Sequence, residues 1–267
     1  HFNIHNMTFS TRSLRSTVVT FISVAAAILF SAQPALAVWV GMPTGTTSPF
    51  YGIDMSTDEL LGIAAGGNGI LKWSTDSGRT WNNSTAAGSV TMRAVSFAPN
   101  SRTAWVVGAT GKVLKTTDGG ANFIDQTANA SAASGGLALY GVFAVNESRV
   151  HAVGSNGKAI RSDNGGATWY NQNSQTPNTL YSVYFANTSN GWAVGAGGAI
   201  TTTVNGGEDW AIQQSGTTET LRSVFFLGST YGFAVGDNRT VKLYSVSQWQ
   251  TYPMTAVPAG TSLQSVD

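Results

Sequence analysis

Short apolar runs ending in glycine punctuate the chain. They read Trp105-Val-Val-Gly108, His151-Ala-Val-Gly154, Trp192-Ala-Val-Gly195 and Phe233-Ala-Val-Gly236. Each is followed by a tight turn and a second apolar stretch, the pattern of a short buried strand pair. Upstream of each lies another strand-like landmark: Tyr51-Gly-Ile53, Arg93-Ala-Val95, Tyr140-Gly-Val142, Tyr181-Ser-Val183, Arg222-Ser-Val224 and Gln264-Ser-Val266. The aliphatic residues of this landmark are spaced by 42, 47, 41, 41 and 42 residues. A polar segment closes four of the units: Ser74-Thr-Asp76-Ser-Gly78-Arg-Thr80-Trp81, Thr116-Thr-Asp118-Gly-Gly120-Ala-Asn122-Phe123, Ser162-Asp-Asn164-Gly-Gly166-Ala-Thr168-Trp169 and Thr203-Val-Asn205-Gly-Gly207-Glu-Asp209-Trp210. Its aromatic residues are spaced by 42, 46 and 41 residues.

Independent landmarks that share one period identify a repeat architecture. Four short strands per repeat of this length identify a β-propeller blade. The fold class predicted is therefore all-β, a propeller of four-stranded blades with Asp-box turns. In each box the Asp or Asn side chain is placed to accept backbone N–H groups of its own turn. The glycine two residues later supplies a positive φ, and the aromatic residue opens the outer strand and packs between blades. These roles are structural. A residue repeated in every blade does not converge on one site, and Asn in two of the four boxes argues against a required charge.

The one longer step places five extra residues in the Ala/Ser/Gly-rich stretch 128–136, read as a surface loop between two blades. Val38-Trp39-Val40 has the spacing of an outermost strand belonging to a blade completed elsewhere. At the other end, Leu263-Gln-Ser-Val266 starts a sixth unit, and the fifth unit has lost its box between Tyr244 and Trp249. The expectation is a complete propeller of six to seven blades, of which the chain is a C-terminally truncated piece. Residues 38–267 form the propeller domain. Residues 1–37 are upstream residues plus a signal peptide: Arg12 and Arg15, an apolar run from Val18 to Phe30, then Ala35-Leu36-Ala37. That order marks a cleaved export signal. The predicted location is a lumen, a periplasm or the extracellular space, with no stable membrane anchor after cleavage.

Composition narrows the chemistry. Cysteine is absent, which excludes disulfides, thiolate metal sites and a cysteine nucleophile. Only 10% of residues are charged and the net charge is +1, so nothing draws in nucleic acid. Of three histidines, His1 and His5 precede the signal, and His151 stands where other blades carry Trp or Phe. No metal or cofactor is expected, and no catalytic residue is assigned. The variable position of the inner strand gives the candidate binding residues Tyr51, Arg93, Tyr140, Tyr181, Arg222 and Gln264. They are expected to ring one mouth of the central channel, and Tyr and Arg are the residue types that dominate interaction hot spots.

The run Gly191-Trp-Ala-Val-Gly195-x-x-Gly198-x-Ile200, followed by Asn205-Gly-Gly207 and Trp210, resembles the Asp-box family of photosystem II assembly and stability factors. The resemblance extends over the repeats of residues 38–267. It implies a non-enzymatic chaperone that binds a reaction-centre subunit in the thylakoid lumen, with Arg93 and Arg222 as candidate contacts. This sequence departs from the lipoprotein members of that family in having no cysteine. An alternative is a secreted propeller that binds carbohydrate or protein, consistent with sequons at Asn82, Asn83, Asn129, Asn146, Asn187 and Asn238. A sialidase-like glycoside hydrolase is a further alternative, disfavoured because no Arg-Ile-Pro motif precedes the boxes.

Overall fold

A computed structural model describes residues 45–254 and 257–267. The signal peptide and the strand expected at Val38–Val40 lie outside the described residues. Within them the chain forms five four-stranded antiparallel sheets, each a simple meander in which every strand pairs with the next. These are the blades of a β-propeller.

The first strands of the five blades are Phe50–Met55, Met92–Phe97, Leu139–Ala144, Leu180–Phe185 and Leu221–Leu227. Each lies against the first strand of the next blade, so they form the inner wall. The second strands of blades 1 to 4, such as Ala104–Gly108 and Gly191–Gly195, are buried along their whole length, which explains their unbroken apolar sequence. The fourth strands face solvent, and two of them, Asn82–Asn83 and Tyr170–Asn173, read as polar. Core clusters sit at the seams between sheets. One joins Trp105, Val107 and Val113 of blade 2 to Leu139, Val142 and Ile160 of blade 3. Another stacks Trp192 of blade 4 on Phe226 of blade 5, ring centroids 3.6 Å apart.

The four boxes fold alike. In the first, the Thr80 N–H donates to Asp76 Oδ1 at 2.8 Å and the Thr80 hydroxyl to Oδ2 at 2.7 Å. In the third and fourth, Asn164 and Asn205 accept the equivalent N–H at 2.9 and 3.0 Å, so an amide oxygen serves as well as a carboxylate. Gly78, Gly120, Gly166 and Gly207 all have positive φ, between 77 and 104°. The leading hydroxyl has a role the sequence did not advertise. Ser74, Thr116, Ser162 and Thr203 are buried, and each accepts the N–H of the box glycine at 2.8–3.0 Å. Trp169 and Trp210 are buried, while Trp81 and Phe123 are only partly so.

One expectation is corrected. The insert at 128–136 is not a loop: Thr127–Ser134 is an α-helix, ended by Gly135 at φ 64°. Four of its eight residues are alanine, the strongest helix former, and Ala130 and Ala133 are buried in the seam between blades 2 and 3. The boxless turn of blade 5 is a two-residue hairpin. Val246 and Ser247 occupy it at φ 50 and 61°, and Ser245 pairs directly with Gln248.

Candidate functional site

Five of the six variable inner-strand residues share one backbone irregularity. Pairing between first and second strands skips one residue in every blade, and the skipped residues are Tyr51, Arg93, Tyr140, Tyr181 and Arg222. Each is the extra residue of a β-bulge, a device that re-aims a side chain out of the regular alternation. The sequence showed only that the position varies. The bulge was hidden because it depends on which residues pair, and pairing is a tertiary fact.

The small residue that follows has a steric cause. A Cβ on Gly52 would lie 2.9 Å from Ala94 Cα, and one on Gly141 would lie 2.9 Å from the Tyr181 carbonyl oxygen. Inner strands of adjacent blades crowd together here. Where serine is tolerated it links blades: Ser182 Oγ accepts the Val224 N–H at 3.4 Å, and Ser223 Oγ accepts the Val266 N–H at 3.2 Å.

The bulged side chains form a continuous arc. The Arg93 guanidinium lies 4.8 Å from the Tyr51 ring centre and 5.4 Å from that of Tyr140. Tyr140 meets Tyr181 edge-to-face at 5.3 Å, and Arg222 lies 5.9 Å from Tyr181. Tyr51 is half exposed. Gln264 does not join by direct contact. It is exposed, with its Nε2 donating to Ser262 Oγ at 2.7 Å.

The two arginines differ electrostatically. Arg222 holds Asp237 with two bonds, Nε to Oδ1 at 2.6 Å and Nη2 to Oδ2 at 2.8 Å. These bonds keep the Asp237 carboxyl below the usual carboxylate range and raise the Arg222 pKa. Arg93 has no ion pair among the described residues, and its Nε is buried without a hydrogen-bond partner. In sequence the two arginines are equivalent, and nothing there marks Asp237, which lies just past the second strand of blade 5.

Three other arginines are occupied elsewhere. Arg149 and Arg161 both pair with Asp163, at 2.7 and 2.9 Å. The Arg102 fork donates to the Asp118 carbonyl oxygen. His151 is 2% exposed and stacked on Phe185 at 4.0 Å. Its pKa is held well below the usual histidine value, by burial first and then by Arg161 and Arg149. Among the described residues no three His, Asp or Glu side chains converge as a metal site, and no helix is long and apolar enough to cross a membrane.

No family model and no curated protein matches this sequence. Solved structures do. The chain is similar to U3-55K at a TM-score of 0.65 and 8% identity, over 83% of this chain and 71% of that one. It is similar to an ancestral GH74 enzyme at 0.60 and 16% identity, over 85% and 33%. It is also similar to YCF48 from Cyanidioschyzon merolae at 0.48 and 18% identity, over 84% and 90%. A second YCF48 structure in this group is bound to a D1 peptide. At these identities the first two likenesses establish the propeller fold and nothing finer.

Proposed function

We propose that this chain is a non-enzymatic, protein-binding propeller whose partner docks on the Tyr/Arg arc. The observation that carries the reading is Arg93. A guanidinium has five donors and no acceptor, and a buried unpaired donor is costly. Here the fork is held between two tyrosine rings, free of any carboxylate of its own. It is oriented in advance for a carboxylate supplied from outside, with Tyr51, Tyr140 and Tyr181 as flanking contact area. The repeat motifs, which resemble those of photosystem II assembly factors, favour a photosystem II reaction-centre subunit as that partner. They also favour export through a cleaved signal, into a lumen or periplasm. A non-enzymatic reading is supported by Arg149, Arg161 and Arg222 being held by acids of the chain itself, and by the burial of His151.

The test uses mature protein immobilised over solubilised native membranes, with captured proteins identified by mass spectrometry. Affinity is then measured for a peptide of the captured subunit. Reaction-centre subunits are the expected catch. Arg93→Gln should weaken peptide binding by about 10- to 100-fold, the worth of a hydrogen bond to a charged group. Arg222→Gln should weaken it less, because Asp237 already occupies that fork. Capture of surface glycoproteins without photosystem subunits would replace the partner. Binding unchanged in Arg93→Gln would remove the arc as the site.

A further inference from the structure

Blade 5 breaks the repeat at Arg239, which lines a cavity together with Lys242. In blades 1 to 4 the tight turn after the second strand ends in a glycine of positive φ: Gly69, Gly111, Gly157 and Gly198, at 68–74°. At three of these a Cβ would collide with an incoming backbone carbonyl oxygen: Gly88 at 1.9 Å, Thr176 at 1.7 Å and Thr217 at 2.0 Å. Blade 5 has Arg239 there, in the same left-handed conformation at φ 60°. A long side chain thus occupies a strained position that the other blades reserve for glycine. Its N–H donates to the Thr261 carbonyl and one Nη to the Val257 carbonyl, each at 2.7 Å.

The second cation is Lys242, at a position that is variable across the blades and whose counterpart in blade 4 is Thr201. Both pair with the central alanine of their second strand. Lys242 is 3% exposed, yet its ammonium is held by two neutral oxygens, Gly216 O at 3.1 Å and Thr251 Oγ1 at 2.8 Å. Buried lysines ordinarily carry a paired acid. Burial lowers its pKa, as expected for a cation without a counter-charge. Lys72, at the same place in blade 1, has its ammonium taken by Asn83.

Arg239 and Lys242 line a cavity of about 260 Å³ with Asn238, Thr217, Thr240 and Thr251, and no carboxylate is among its described lining residues. The corresponding cavity one blade earlier, about 620 Å³, carries Glu219 and neither Lys nor Arg. Lys72 lines neither cavity. Of these two cavities only that of blade 5 is lined by Lys or Arg, and Glu219 reaches it only through the Asn238 amide, which donates to its carboxylate at 3.4 Å. We propose that this cavity binds a phosphate-class oxyanion, with Lys242 as the point charge, the Arg239 fork as the second cation and the threonine hydroxyls as neutral donors. The site is separate from the Tyr/Arg arc and does not depend on how the arc is used.

The experiment is a thermal-denaturation and 31P NMR titration of the mature protein. The probes are inorganic phosphate and glycerol phosphate, with acetate and chloride at matched ionic strength as controls. Both phosphates should raise the melting temperature beyond the controls, as a ligand of the folded state must. Lys242→Met should abolish that rise, and Arg239→Gly, which restores the glycine of the other blades, should weaken phosphate binding at least tenfold. A rise with inorganic phosphate alone would assign the free ion, and a stronger rise with glycerol phosphate a phosphorylated small molecule. If Lys242→Met does not fold, phosphate line broadening lost in Arg239→Gly alone still supports the site. No phosphate-specific response in the wild type, or an undiminished one in Arg239→Gly, overturns the proposal.

Discussion

Gly195 ends the second strand of blade 4 at φ −168°, an extended conformation open to any residue. Conformational freedom therefore predicts that Gly195→Ala is harmless, whereas packing predicts the opposite. A Cβ at Gly195 would sit 2.0 Å from the Thr179 carbonyl oxygen and 2.9 Å from Leu180 Cα. Carbon contacts are comfortable only beyond about 3.5 Å, so the first strand must retreat by about 1 Å or more. That retreat breaks the 2.9 Å bond from the Ala196 N–H to the Thr179 carbonyl and disturbs the bulge at Tyr181. Overpacking costs about 1–3 kcal/mol and an orphaned buried polar group about 1–3 more, so a loss of about 2–6 kcal/mol is expected. Domains of this kind commonly have about 5–15 kcal/mol in hand. The control is Gly228→Ala, at φ 71° with no atom within 4 Å of the added carbon. Only the left-handed backbone opposes it, at about 1–2 kcal/mol. Urea unfolding followed by tryptophan fluorescence and circular dichroism reads both variants. If Gly228→Ala is the more damaging, or Gly195→Ala costs under about 1 kcal/mol, the steric reasoning is wrong.

His151, depressed below 6.5 by burial, lends stability that is complete above that value and is lost as the pH falls below it. The loss should grow by about 1.4 kcal/mol per pH unit until the folded-state pKa is reached, and His151→Phe, copying Phe233 of blade 5, should remove that dependence in urea titrations at pH 7 and 5. Asp76 is pushed down to about 2, first by the Thr80 N–H, then by the Thr80 hydroxyl and Ser74. Its contribution should be present above pH 3.8 and vanish as the pH falls toward 2. Asp76→Asn, which copies Asn164 and Asn205, should leave stability at pH 7 nearly unchanged while flattening that acid limb.

The sequence by itself determined the repeat, the strand order within each blade and the boxes. Each is local: a turn that needs Asp or Asn, a glycine and an aromatic residue within eight positions writes its requirement into contiguous residues. It also marked Tyr51, Arg93, Tyr140, Tyr181 and Arg222 as variable positions on a shared strand. Only the tertiary structure decided what those five residues are. Their bulges arise from pairing between strands, their rings meet because five inner strands converge, and Asp237 distinguishes Arg222 from Arg93 across 15 residues of chain. The helix at Thr127–Ser134 was missed for a related reason. Its alanines and serines look like a loop in isolation, and they become a helix where Ala130 and Ala133 have a seam to fill. The cavity of blade 5 lay further from view, since Arg239 is an ordinary residue until the glycines of the other blades are laid beside it, and only the fold brings Lys242 to the same cavity.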